Sequence, residues 1–97
     1  MYVVLLKFSD NKNLAAQFMA GHNDWIMRGF DEGVFLLAGG IQQNQGGGIL
    51  AFNVSKPELE RRLKDDPFVA ENVVTAEVIE ITPVKVDQRL NFLVGSN

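Results

Sequence analysis

Two hydrophobic periods alternate along this chain, and their order restricts the fold more than any single residue does. Tyr2 to Phe8 is a run of β-branched and aromatic residues closed by the turn formers Ser9, Asp10 and Asn11, and it reads as a strand. From about Asn13 to Asp31 the period becomes helical. At about 100° per residue, Leu14, Phe18, His22, Trp25, Ile26 and Gly29 share one side, while Asn23, Asp24, Arg28 and Asp31 lie away from its centre. Gly33 follows where a residue of positive φ commonly ends a helix. Val34 to Ala38 reads as a second strand and Gly46 to Val54 contains a third, with Gly39-Gly40-Ile41-Gln42-Gln43-Asn44-Gln45 as the hairpin loop between them. Ser55-Lys56-Pro57-Glu58 is a capping box that opens a second helix running to about Lys64 and burying Leu59 and Leu63. Asp65-Asp66-Pro67 breaks it, because the residue before proline avoids the helical region. Phe68 to Glu71 reads as a short further turn, with Asp66 as its cap and Pro67 in its first position. Val73 to Pro83 is the fourth strand.

The order β-α-β-β-α-β is the split βαβ pattern of a ferredoxin-like α+β domain, and it predicts a four-stranded antiparallel sheet with both helices on one face. In the first strand Tyr2, Val4, Leu6 and Phe8 alternate with Val3, Leu5 and Lys7, so both faces are mostly apolar; Ile49, Ala51 and Asn53 alternate in the same way with Leu50, Phe52 and Val54. A half-exposed sheet alternates more cleanly than this. The free face is therefore expected to meet another sheet, most simply that of a second subunit in a homodimer. With 97 residues the chain makes one domain, and at that size a second copy adds useful burial. From Val84 to Asn97 no period is visible, although Leu90, Phe92, Leu93 and Val94 are apolar enough to pack on something; Gly95-Ser96-Asn97 reads as a disordered end.

Nine Lys and Arg against twelve Asp and Glu leave a net charge of -3, with no basic run, so nucleic acid is not an expected partner. Without cysteine there is no disulfide framework, thiolate nucleophile or cysteine metal site. The opening Met1 to Leu6 lacks the basic lead of a signal peptide, and its apolar run stops at Lys7. No apolar stretch approaches the roughly 20 residues that span a bilayer. No membrane association is expected, and the expected location is cytoplasmic.

His22 is the only histidine, set by the helical wheel among Phe18, Trp25 and Ile26, with Gly21 and Gly29 leaving space on neighbouring turns. Imidazole is the usual side chain for proton transfer near neutral pH. An equally open reading is a structural histidine satisfied by a backbone carbonyl. Asp66 is the best carboxylate partner, since it lies in a break between helices from which it can orient the ring. It can also simply cap the turn at Pro67, a role that contributes about 0.5 to 2 kcal/mol. Trp25, one turn beyond His22, either walls a substrate pocket or belongs to the core. Lys7 and Glu77 interrupt apolar strands and point either into a cavity between sheets or to a solvated edge. The glycines at 39, 40, 46, 47 and 48 match neither phosphate-binding fingerprint and read as the flexible mouth of a hairpin. One histidine without a companion at i+3 or i+4 makes no metal site, so neither metal nor cofactor is expected. Ser9, Ser55 and Ser96 sit in a turn, a cap and a tail, which argues against covalent serine chemistry.

Several segments in order resemble the YCII-related (YciI-like) family: Met1-Tyr2-Val3-Val4-Leu5-Leu6, Gly21-His22 with Trp25, Gly33 through Leu37-Ala38-Gly39-Gly40, Gly47-Gly48-Ile49-Leu50, Asp65-Asp66-Pro67-Phe68-Val69, and Val78 to Val84. The resemblance covers residues 1–86 and leaves 87–97 as an extension that can pack on a partner subunit. It implies a ferredoxin-like subunit that dimerises through its sheets into an α/β barrel, as muconolactone isomerases and small cofactor-free monooxygenases do. It also implies a histidine and an aspartate acting together, which fall on His22 and Asp66, with Gly39 and Gly40 beside the substrate pocket. At Gly40 the chain departs from the pattern, many relatives having proline there. Most members have no assigned function, and one relative eliminates chloride from a chlorinated hydroxyquinol. The expectation is a cofactor-independent small-molecule enzyme of lyase, isomerase or dehydrochlorinase type, with a non-catalytic metabolite-binding dimer as the alternative.

Overall fold

In the computed structural model, which describes residues 1–94, strand β1 spans Tyr2–Phe8 and is followed by a 3-10 turn at Lys12–Leu14 and helix α1 at Ala15–Asp31. The reading of Gly95-Ser96-Asn97 as a disordered end lies outside the described residues. Strands β2 (Phe35–Gly40) and β3 (Gly47–Ala51) form a hairpin, helices α2 (Lys56–Lys64) and α3 (Pro67–Ala70) follow, and β4 is Val74–Glu80. The sheet order is β2-β3-β1-β4 and every pairing is antiparallel. The domain is thus the ferredoxin-like βαββαβ arrangement that the sequence predicts, with a one-turn α3 added.

Local chemistry accounts for the boundaries. Gly33, at φ 73°, ends α1 in the left-handed region that glycine adopts freely. The Ser55 hydroxyl accepts the Glu58 N–H at 3.3 Å at the start of α2, and Asp66 accepts the Phe68 N–H at the start of α3. Of the boundaries that differ from the sequence reading, two follow from strand pairing. Gly39 and Gly40 belong to β2 instead of the loop, because they pair with Gly48 and Gly47 in the ladder, so the hairpin loop runs only from 41 to 46. The fourth strand ends at Glu80 and not Pro83: Glu80 opposite Tyr2 is the last pair of its ladder, Ile81 exchanges hydrogen bonds with Met1 at 2.9 and 3.0 Å, and Pro83 has no N–H with which to extend the pairing.

One face of the sheet carries the core. Tyr2, Val4 and Leu6 of β1 and Ile49 and Ala51 of β3 are buried with Trp25 of α1, Leu59 and Leu63 of α2, and Phe68 of α3. The helices therefore all pack on that side. The opposite face is apolar too: Leu37, Leu50, Val3 and Ile79 stand in one cross-strand row, with Leu37 53 % and Ile79 41 % exposed. Beyond β4, a 3-10 segment at Gln88–Leu93 brings the Phe92 ring edge-on to Phe52, with centroids 5.3 Å apart, while Leu90 and Val94 stay exposed. No helix among the described residues is long and apolar enough to cross a membrane.

Candidate functional site

His22 and Asp66, which are 44 residues apart in sequence, meet where α1 crosses α3. Glycine permits this approach: a Cβ on Gly21 would lie 3.1 Å from Cγ of Pro67, tighter than ordinary contact. His22 Nδ1 lies 2.8 Å from Asp66 Oδ1, and the same oxygen accepts the Phe68 backbone N–H at 3.0 Å. A carboxylate oxygen only accepts, so Nδ1–H is the donor in this contact. That assigns the neutral imidazole as the Nδ1–H tautomer and leaves Nε2 as its basic nitrogen. Among the described residues Nε2 has no hydrogen-bond partner in the protein. The Asp66 side chain is fully buried, and its Oδ2 is likewise without a protein partner. A buried carboxylate with one unengaged oxygen costs several kcal/mol, in rough terms, unless its remaining contacts offset it, which is uncommon outside functional sites.

The ring is clamped on its flat side. Phe68 stacks on His22 with centroids 4.0 Å apart and planes 6° from parallel, which supports the imidazole plane on that face. Trp25 stands behind it at 6.2 Å. The indole N–H donates to the Arg62 carbonyl at 2.9 Å, which ties α1 to α2.

In front of His22 is a cavity of about 370 Å³ between α1 and the β2–β3 half of the sheet. Met19, Asn23, Ile26 and Phe30 line its helix side, and Ala38, Gly40 and Gly47 its sheet side. His22 is the one titratable side chain among the described residues that line it. A basic nitrogen in a mostly apolar, partly enclosed space, with its other nitrogen held by a carboxylate, is an arrangement suited to accepting and returning one proton. No group of three His, Asp or Glu side chains converges on it, or elsewhere among the described residues, in the way a metal site requires.

The structure brings four of the six sequence candidates to one place and separates the other two. His22, Gly39 and Gly40 line the cavity, and Asp66 lies directly behind His22. Trp25 does not line it; it is 1 % exposed and faces the shallower polar groove between α1 and α2 that also holds Arg28, Glu32 and Arg62. Lys7 lies on the opposite, helix-free face of the sheet, where it pairs with Glu77 at 3.4 Å. Phe68 and the inward glycine Gly47, which the sequence shows only within the Asp-Pro-Phe segment and the hairpin mouth, are not among its site candidates. Phe68 follows Asp66-Pro67 and could have been found from the cap alone, because a residue two past the cap is returned toward the preceding helix. Gly47 was hidden by its loop-like composition.

No family model matches the chain, and no curated protein matches it. Among solved structures, it is similar to 5-chloro-2-hydroxyhydroquinone dehydrochlorinase (TftG) from Burkholderia phenoliruptrix AC1100, in complex with 2,5-dihydroxybenzoquinone. The TM-score is 0.68 at 12 % identity, over 84 % of this chain and 93 % of that one. At this identity the likeness establishes the shared fold.

Proposed function

We propose that the chain is a YciI-like, cofactor-independent enzyme in which His22 is the catalytic acid/base and Asp66 its positioning residue, acting on a small molecule held in the cavity. The observation that carries this reading is the buried Nδ1–Oδ1 contact of 2.8 Å combined with the opening of His22 onto an apolar cavity. Nε2 removes a proton from a carbon or hydroxyl of the substrate. The electron pair left behind forms a double bond, either expelling a leaving group or reaching a second atom that takes the proton back from Nε2. The first course is elimination, of which dehydrochlorination is one case; the second is isomerisation. Asp66 holds the ring and favours the imidazolium that forms in between. That a dehydrochlorinase of the same fold binds a quinone is consistent with this class of chemistry.

The test is turnover on halogenated and enolisable cyclic compounds, followed by halide release and by deuterium uptake from D₂O. Wild-type protein is expected to turn over at least one compound, and His22→Gln to slow it by about 10²-fold or more, the usual scale for losing a general acid/base. A non-catalytic binding module would return every compound unchanged and would bind equally well after His22→Gln. We further propose that two copies join through the helix-free sheet faces, as in dimeric α/β barrels; the apolar row Val3, Leu37, Leu50 and Ile79 supports this.

A further inference from the structure

The glycines around the cavity fall into two groups. Gly46 is demanded by the fold: its φ is 118°, and a Cβ there would lie 2.0 Å from the Leu6 carbonyl oxygen. Gly40 is not. Its backbone lies in an ordinary strand, and a Cβ would meet only the Gly46 carbonyl oxygen, at 3.9 Å. Glycine weakens a strand and packs nothing, so at such a position its presence calls for another cause.

Register supplies that cause. Gly40 pairs with Gly47, and Gly47 with Leu6, whose side chain points to the helix side of the sheet. Gly40 and Gly47 are therefore adjacent inward positions, and the next inward residue of β2 is only Ala38. Where other strands send Leu6 or Ile49 up against the helices, this corner sends nothing. At this corner the floor of the cavity is peptide backbone, while Leu6, Phe8, Ile49 and Val74 line the rest of its sheet side. Across from the floor stand Met19, Ile26 and Phe30 of α1 with the one polar side chain Asn23, and His22 closes one end.

Charge restricts the occupant further. No Lys or Arg lines the cavity, and the His22–Asp66 pair carries no net positive charge unless both groups are protonated. An anionic ligand would find no countercharge there, whereas the flat backbone and apolar helix face suit a thin, uncharged one.

We infer that Gly40 is a specificity-determining residue that admits an uncharged planar ring, laid against the backbone of Gly40 and of Gly47, where a Cβ would lie 3.3 Å from the Gly39 carbonyl oxygen, with its edge toward His22. This rests on the reading of the cavity as the substrate site but does not depend on turnover. The test is calorimetric binding of phenol, 2-naphthol and 2-naphthoate to wild type, Gly40→Ala and Gly40→Val, with His22 ring NMR signals reporting where each probe sits and thermal unfolding reporting the fold. Wild type is expected to bind 2-naphthol with a shift of the His22 signals, and 2-naphthoate about tenfold or more weaker. Gly40→Val should fold and lose about tenfold or more in 2-naphthol affinity, with a smaller loss for phenol; this is the scale on which an apolar pocket discriminates by one or two methyl-sized groups. Should Gly40→Val not fold, Gly40→Ala carries the test with a loss of about threefold or more. The inference is overturned if wild type binds no neutral probe at His22, if 2-naphthoate binds as well as 2-naphthol, or if the folded variant keeps full 2-naphthol affinity. Unimpaired turnover by His22→Gln would instead overturn the proposed chemistry and leave the binding result standing.

Discussion

Asp66 holds two structures together with one oxygen. Its Oδ1 caps α3 through the Phe68 N–H and fixes His22 through Nδ1, so the capping and orienting roles that compete in the sequence coincide in the fold. Replacing it separates them. Asp66→Ala removes the cap and strands the buried His22 N–H, and is expected to cost about 2–4 kcal/mol in urea unfolding. Asp66→Asn retains an amide oxygen for both donors and is expected to lose no more than about 1 kcal/mol, while turnover still falls because the carboxylate charge that favours imidazolium is gone. Equal destabilisation by the two variants would contradict the shared-oxygen account. His22 and Asp66 were both legible in the sequence, because helical period places the one and the Asp-Pro break exposes the other as a cap. Their contact was not, since 44 intervening residues leave no local signal.

At the level of elements, three ties position α1. Close approach at Gly21 sets it against α3, the Trp25 indole N–H reaches the α2 backbone, and Glu32 at its C-terminal cap is ion-paired with Arg62 of α2. Hydrogen bonding from Arg62, followed by the attraction of its charge, lowers the Glu32 pKa below its ordinary value. Since the folded value lies below the unfolded one, the pair stabilises the protein at neutral pH, and that contribution is lost as pH falls through the folded value. Glu32→Gln should therefore lower Tm slightly at pH 7 and make no difference at a pH below the carboxylate range; the exposure of Glu32 keeps the effect small. A gap that persisted in acid would point to packing instead of the ion pair. Element order and both caps were readable from the chain because period and capping chemistry are local. What was not readable depended on partners: β4 pairs with β1 only as far as Glu80 opposite Tyr2, and Gly39 and Gly40 become strand only because Gly47 and Gly48 lie opposite. Trp25 and Lys7 show the same limit, since helical spacing and strand alternation mark a face without saying which cavity that face borders.

For the molecule as a whole, the unburied side of the sheet is the largest consequence of strands that are apolar on both faces. Leu37 and Ile79 project from a face that carries no helix, next to Val3 and Leu50 and bordered by the exposed Lys7–Glu77 pair. An apolar surface of this kind on so small a chain favours association over exposure. Sedimentation of the wild type is expected to give a homodimer, and Leu37→Arg, at a side chain that packs on nothing in its own core, a folded monomer. A monomeric wild type would remove the barrel assembly from the account and leave the cavity as an open surface cleft.

Everything proposed for the site requires that His22 present a basic Nε2 to the cavity while Nδ1–H is held by Asp66. Nitrogen-15 NMR of the single imidazole, recorded where the ring is neutral, reads this directly. The account predicts a protonated, pyrrole-type Nδ1 and a bare, pyridine-type Nε2. A ring carrying its proton on Nε2, or one averaging between tautomers, would contradict it.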